Sequence, residues 1–341
     1  MAMITREKDI FERAAEALKA HAAVHVEVQQ AGATHDRGGV LGLAAQGRTV
    51  RIPVEVKAAI TRAGAALLLV QKQRTRRNPL LVTTHVNPRM ADHLKAEGLE
   101  FIDTAGNAYI NRPPLYIFVK GNRPQEVLAG TPQKRAFKPA GLKVVYAFLC
   151  NAVLVNEPYR EIAAHAGVAL GTVGWFMKDL KQEGFLLDMG KRGNRLVRKE
   201  ELLGKWMVAY HERLRPKLVL GRFRGEPGWW EQKALKKGVA FWGGEAAAGM
   251  MTKYLKPQII TLYTVPLNLN GLLLENRLRK DPQGDVEVLN KFWGIGEEFA
   301  RKDMVHPILV YTDLMATGDQ RNRETAGIIY DEHIARLVRE D

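Results

Sequence analysis

A single cysteine, Cys150, occurs in the 341 residues. No disulfide within the chain and no cysteine-built zinc site can therefore form. Cys150 lies in an apolar run, which suits a small core side chain better than a nucleophile. The nine histidines show no His-Glu-x-x-His spacing, and no Gly-x-x-x-x-Gly-Lys-Ser/Thr phosphate loop is present. No uninterrupted apolar run approaches the roughly 20 residues that span a membrane. The chain opens on the charged, helix-like TREKDIFERAAEALKAH rather than on a secretory signal, so a soluble cytoplasmic protein is expected.

What is abundant is positive charge. The formal net charge is +14, while a hydrophobic content of 46% is ordinary for folded domains. Such an excess favours a polyanionic partner: DNA, RNA or an acidic protein. The length suits two or three domains, and a multidomain α/β protein is expected.

Residues 1–121 read as an α/β domain. Ile10, Phe11, Ala14, Ala17 and Leu18 recur at helical spacing. Val24, Val26 and Val28 then alternate with polar residues, VLGLAA follows the turn-rich GATHDRGG, and RTVRIPVEVK alternates again. A helix and three successive strands is the order in which a restriction-endonuclease-like core begins. The third strand ends on Glu55-Val56-Lys57, the Glu-x-Lys pattern of metal-dependent nucleases of that fold. The period of two puts Glu55 and Lys57 on one face. Nuclease chemistry needs two carboxylates on a divalent metal and a lysine near the attacking water. Asp36 is the candidate second carboxylate, Asp36 and Glu55 the candidate Mg2+ or Mn2+ ligands, and Glu16 a weaker addition. The same alternation also suits a nuclease-like scaffold that does not cut, or any half-exposed strand. LLVTTHV then reads as a buried strand, and NPRMADHLKAEG as a helix capped by Asn87. The turn at Asp103-Thr104-Ala105-Gly106-Asn107 is either functional or a hairpin of permissive residues.

Residues 122–141, rich in Pro, Gly, Lys and Arg, read as a linker, and 142–200 as a winged helix-turn-helix. Tyr159–Ala166 and Leu170–Glu183 are the paired helices, Gly167 the turn, and small Ala163 allows close crossing. Thr172, Trp175, Lys178 and Lys181 are the outward residues that would face a major groove. The strands around Lys191-Arg192-Gly193-Asn194-Arg195 form a wing, with Lys191, Arg192 and Arg195 placed to touch phosphate. From Leu186 to Arg224, eleven Lys/Arg stand against four Asp/Glu, a local excess of +7. That concentration is the footprint expected of double-stranded DNA binding. The second helix has few Arg, Asn or Gln for bidentate base readout, and Gly171 and Gly174 weaken its start.

Residues 201–341 read as a second α/β domain. It comprises a helix and basic connector over ELLGKWMVAYHERLRPKLVLGRFRG, a strand–Gly-Gly–helix unit over GVAFWGGEAAAGMMTKYLKP, strand-like IITLYTV and HPILVYTDL, and a closing helix over RNRETAGIIYDEHIARLV. Trp242-Gly243-Gly244-Glu245 is a candidate anion cradle, with a first-turn helix charge as the plainer reading of Glu245. Asp313 and Asp319 are a candidate carboxylate pair, against a turn and helix cap.

The strings LVTTHVNPRMADHLKAEGLEFIDTAGNAYI, WGGEAAAGMMTKYLKP and LVYTDLMATGDQRNRETA, with the central helix-turn-helix, resemble the AbiEi-type antitoxins of type IV toxin–antitoxin systems. The resemblance implies a transcriptional regulator that represses its own operon. It also implies a C-terminal part that opposes a nucleotidyltransferase toxin without stable binding. Simpler members carry the winged helix at the N-terminus, whereas here a whole domain precedes it. A homodimer is expected, since such regulators commonly bind two half-sites. No cofactor is expected for a regulator; Mg2+ or Mn2+ belongs to the nuclease alternative, a metal-dependent endonuclease targeted by its winged helix.

Overall fold

A computed structural model describes residues 5–21, 25–29, 39–45, 48–75, 78–124, 135–231, 235–236, 238–294 and 303–339. The chain divides into two compact units, Met1–Thr131 and Pro132–Asp341. Both mix helix and sheet, as expected of an α/β protein.

In the first unit, α1 (Thr5–His21) is followed by β1 (His25–Gln29), β2 (Val40–Ala45) and β3 (Arg48–Val56). Then come α2 (Arg62–Thr75), β4 (Leu80–Thr83), α3 (Pro88–Ala96), β5 (Phe101–Asp103), β6 (Ala108–Arg112) and β7 (Leu115–Val119). The seven strands lie side by side in chain order. β2 runs antiparallel to both β1 and β3, β3, β4 and β5 are parallel, and β6 and β7 return antiparallel. The two parallel steps need crossovers, and α2 and α3 supply them. Val54 and Ile52 share one core with Ile10, Phe11, Ala14 and Leu18 of α1. Ala65 and Leu68 of α2 share the opposite core with Ala91 and Leu94 of α3. The period of two along β3 thus sorts its valines to the α1 face and Glu55 to the other.

The second unit begins with α4 (Pro139–Cys150), α5 (Tyr159–Ala166) and α6 (Leu170–Gln182), then the hairpin β8 (Leu186–Asp188) and β9 (Asn194–Leu196). α7 (Lys199–Ala209) runs through a π-helical turn at Tyr210–Leu214 into α8 (Arg215–Leu218). After it come β10 (Val219–Arg224), β11 (Ala240–Gly243), α9 (Gly244–Thr252), β12 (Ile260–Thr264), α10 (Leu269–Glu275), β13 (Arg279–Lys280) and β14 (Val286–Asn290). α11 (Pro307–Met315) and α12 (Gln320–Ile329) follow, and a second π-helical turn, Tyr330–Ile334, leads into α13 (Ala335–Val338). The five strands lie in the order β11-β12-β14-β10-β13, with only β12 and β14 parallel.

Two readings are corrected. VLGRFR is the strand β10, paired to β13 and β14, rather than a connector. HPILVYTDL is the helix α11, every residue of Pro307–Met315 being buried, rather than a strand. A short, wholly apolar run has no polar face to reveal its period, so strand and helix look alike. The start signal was nevertheless present: His306 accepts the Ile308 N–H at 3.2 Å, and Pro307 occupies the first turn.

Aromatic side chains join the front and back of this unit. Tyr146 of α4 stacks on Trp206 of α7 at 5.3 Å between centroids, and Trp206 on Tyr210 at 4.9 Å. Phe292, just past β14, closes on Tyr146 at 5.0 Å. The Trp206 indole N–H donates to the Leu142 carbonyl at 2.8 Å, so the buried ring leaves no polar atom unpaired. Residues 142–200 and 201–341 therefore share one core.

Candidate nucleic-acid interface

α5 and α6 meet around small and apolar side chains. Ile162, Ala163 and Ala166 of α5 are buried, as are Val173, Phe176, Met177 and Leu180 of α6. Between the helices Gly167 adopts φ +61°, a left-handed conformation that caps α5. A Cβ there would also stand 3.2 Å from the Phe292 carbonyl. The turn is held from outside: the Gly294 N–H donates to the His165 carbonyl at 2.8 Å. Gly294 is obligatory, because a Cβ would fall 1.7 Å from the Ala164 carbonyl oxygen.

The predicted outward residues fall on one side of α6, with differences in state. Trp175 and Lys178 are exposed. Thr172 is half-buried, and its hydroxyl donates to the Ala169 carbonyl at 2.6 Å, closing the first turn. Lys181 is exposed but pairs with Asp188 of β8 at 2.9 Å. That bond from the Lys181 ammonium, with the Gly190 N–H, holds the Asp188 carboxyl below its ordinary range. The contact also fixes the hairpin against the last turn of α6.

The hairpin is short and anchored. Leu187 pairs with Arg195 and Asp188 with Asn194. Asn156, just before α5, accepts the Asn194 N–H at 2.6 Å and donates to the Asn194 carbonyl at 2.9 Å. Gly193, at φ +77°, passes so close that a Cβ would stand 2.4 Å from the Asn156 Oδ1. At the tip, Lys191 and Arg192 are exposed, and Arg195 on β9 is exposed beside them. Three candidate phosphate ligands thus stand on one short hairpin, which Lys181–Asp188 ties to α6. Two exposed neighbours escaped the sequence reading: Tyr159 at 49% and Leu170 at 54%. Leu170 follows the inward period of Val173 and Met177 but is exposed.

In the first unit, Glu55 and Lys57 do lie together, the ammonium 2.8 Å from the carboxylate. Asp36 lies outside the described residues. Glu16 is exposed on α1, on the sheet face opposite Glu55, so it does not converge with the pair. Among the described residues no group of three or more His, Asp, Glu or Cys side chains is set to hold a metal. The Asp103 turn is a hydrogen-bonding hub. Its buried carboxylate accepts from the N–H groups of Val86, Ala105 and Asn107 at 2.8, 2.9 and 2.8 Å, and from the Asn107 amide at 2.7 Å.

The candidate C-terminal sites are occupied by the fold itself. Glu245 is buried and accepts the Gln258 N–H at 2.6 Å and the Asn322 amide at 2.8 Å, so its carboxylate is taken up in structural hydrogen bonds. Asp319 caps α12, accepting from the Arg321 and Asn322 N–H groups. Asp313 is buried in an ionic cluster. Arg215 donates to Asp313 at 3.0 Å and to Glu287 at 2.7 Å, and the Tyr263 hydroxyl donates to Asp313 at 2.7 Å. The two aspartates therefore have separate structural roles.

The second unit thus defines a class: a basic helix–turn–helix and hairpin sharing a core with an α/β sheet domain. Residues 195–335 match the family model AbiEi_2, described as transcriptional regulator, AbiEi antitoxin, type IV TA system. Over that stretch the resemblance to the AbiEi-type antitoxins is thereby shown. No curated protein and no solved structure gives a match to the chain. Among the described residues no helix is long and apolar enough to cross a membrane.

Proposed function

We propose that this protein is a DNA-binding transcriptional regulator of a toxin–antitoxin system that represses its own operon. In this reading residues 142–200 are a winged helix-turn-helix, α6 enters the major groove of double-stranded DNA, and Lys191, Arg192 and Arg195 contact phosphate. The observation that carries it is the Lys181–Asp188 contact, which sets the basic hairpin beside the exposed face of α6. Two copies bind two half-sites, and residues 201–341 oppose a nucleotidyltransferase toxin. The first unit, with its strands in the order β1 to β7 and a Glu-x-Lys on β3, is a restriction-endonuclease-like scaffold. The Lys57 ammonium on Glu55 supports a non-cutting role, because a carboxylate neutralised by lysine is a poorer metal ligand.

The test is binding to a duplex carrying the DNA upstream of its own gene, measured against salt. Neutralising Lys191, Arg192 and Arg195 together is expected to weaken binding. It is also expected to flatten log K against log salt by up to about 0.9 for each phosphate that the hairpin no longer neutralises. The same triple variant is expected to relieve repression of a reporter driven by that DNA. Unchanged affinity and slope would remove the hairpin from the interface.

A further inference from the structure

We infer that α6 reads DNA through the C5-methyl groups of thymine, with Trp175, Leu170 and Tyr159 as an apolar contact surface. The inference rests on the duplex-binding reading above and adds what the surface recognises. Trp175 is 52% exposed and Leu170 54% in the first turns of α6, and Tyr159 is 49% exposed at the start of α5, an unusual density of large exposed side chains. On the surface of α6, Leu170 and Trp175 stand on either side of Gly174 and Gly171. Gly171 and Trp175 are one turn apart, as are Leu170 and Gly174. The Tyr159 ring lies against Gly174, its Cε2 3.4 Å from where a Cβ would stand. Gly171 presents open space, with no atom within 4 Å of its Cβ direction. The backbone of this first turn can thus approach a groove floor closely.

The Trp175 indole N–H and the Tyr159 hydroxyl are single groups rather than bidentate forks, and the rest of this face adds little hydrogen-bonding capacity. The Thr172 hydroxyl proton is committed to Ala169. Lys178 is a point charge rather than a planar fork, and Lys181 is tied to Asp188. α6 contains no Arg or Asn, and its one Gln, Gln182, sits in the last turn, about 10 Å along the axis from Trp175. The bidentate pairings that identify guanine and adenine are therefore lacking at the N-terminal end of the helix. The apolar feature on a major-groove edge is the thymine methyl, and that is what an apolar face can discriminate. The surrounding charge decides the occupant. Lys178 on α6 and Lys191, Arg192 and Arg195 on the adjoining hairpin are exposed cations of the same unit, which complement a duplex rather than an apolar protein surface.

The experiment uses the full chain. Duplexes are selected from a random pool, and the winners are remade with uracil in place of every thymine, a change that removes only the methyl groups. The expected result is enrichment of thymines in the selected site and a loss of affinity of about fourfold per methyl contacted. Trp175→Ala and, separately, Leu170→Ala are expected to shrink that difference while leaving the salt-dependent part of binding in place. Both side chains are exposed, so neither variant removes core. Equal affinity of the wild type for thymine and uracil duplexes overturns the inference but leaves duplex binding standing. Failure to select any duplex overturns the duplex-binding reading itself. Equal affinities together with a self-association that Trp175→Ala abolishes would assign the patch to a second copy of the chain, also against the inference.

Discussion

His306 shows how one side chain ties helix geometry to pH. Its Nδ1 lone pair accepts the Ile308 N–H at the start of α11, which only a ring unprotonated at that nitrogen can do. Burial, with His333 nearby, pushes the imidazole down to about 4. The unfolded ring titrates near 6.5. Between these values the unfolded state binds the additional proton, so stability is fully present above about pH 6.5 and is lost as pH falls towards 4. The expected loss is about 2.5 kcal/mol, read from urea midpoints at pH 7 and pH 4.5. His306→Asn keeps an acceptor at the cap and is expected to remove most of that dependence. At this scale the sequence was readable where a residue acts on its own turn. Asn87 and Asp319 cap their helices as their positions suggested. Glu245 was not readable in this way, because its partners, Gln258 and Asn322, are distant in sequence.

Among the elements, α6 and α11 mark the two extremes of legibility. α6 declared itself through polar and apolar residues at helical spacing, and its start at Leu170 agrees with the sequence reading. α11 is buried on all sides, so no amphipathic period could distinguish it from a strand. Its Asp313 is held by Arg215, which reaches across from α8. Burial alone would lower the Arg215 basicity, but Asp313 and Glu287 reverse this and keep the guanidinium charged. Arg215→Met would leave two carboxylates facing each other out of water. The expected cost is about 3–5 kcal/mol in chemical denaturation, with partial recovery when Asp313→Asn is added. Additive costs in that double-mutant cycle would mean that the groups do not act as one cluster. The same helix illustrates a burial effect on the neighbouring His211. Desolvation lowers its basicity, and the neutral ring is suited to its 2.9 Å hydrogen bond with the Thr312 carbonyl.

For the whole molecule, length and charge suggested several domains and a polyanionic partner, and local periodicities suggested the α/β class and located most of its elements. The shared core of the second unit was not legible, because it is built from single rings contributed by segments far apart: Tyr146, Trp206, Tyr210 and Phe292. Residues 132–341 are expected to unfold cooperatively when expressed alone and to retain the salt slope of the full chain on duplex DNA. Residues 132–200 alone are expected to show no cooperative transition, since Trp206 and Phe292 would be missing. Circular dichroism during urea titration of the two fragments checks both outcomes.

The short link between Gly294 and His165 bears on how such a protein can be rebuilt or can diverge. The helix pair proposed above to meet DNA is soldered at its turn to the loop leaving β14, with backbone against backbone and no side chain available to absorb a change. Grafting a different reading head onto this sheet domain therefore requires more than a compatible linker. The incoming turn must present a carbonyl in the same place, and the receiving loop must keep its glycine. Under the proposed duplex-binding role, an altered preference is more readily reached by exchanging the outward side chains of α6 than by exchanging the module that carries them.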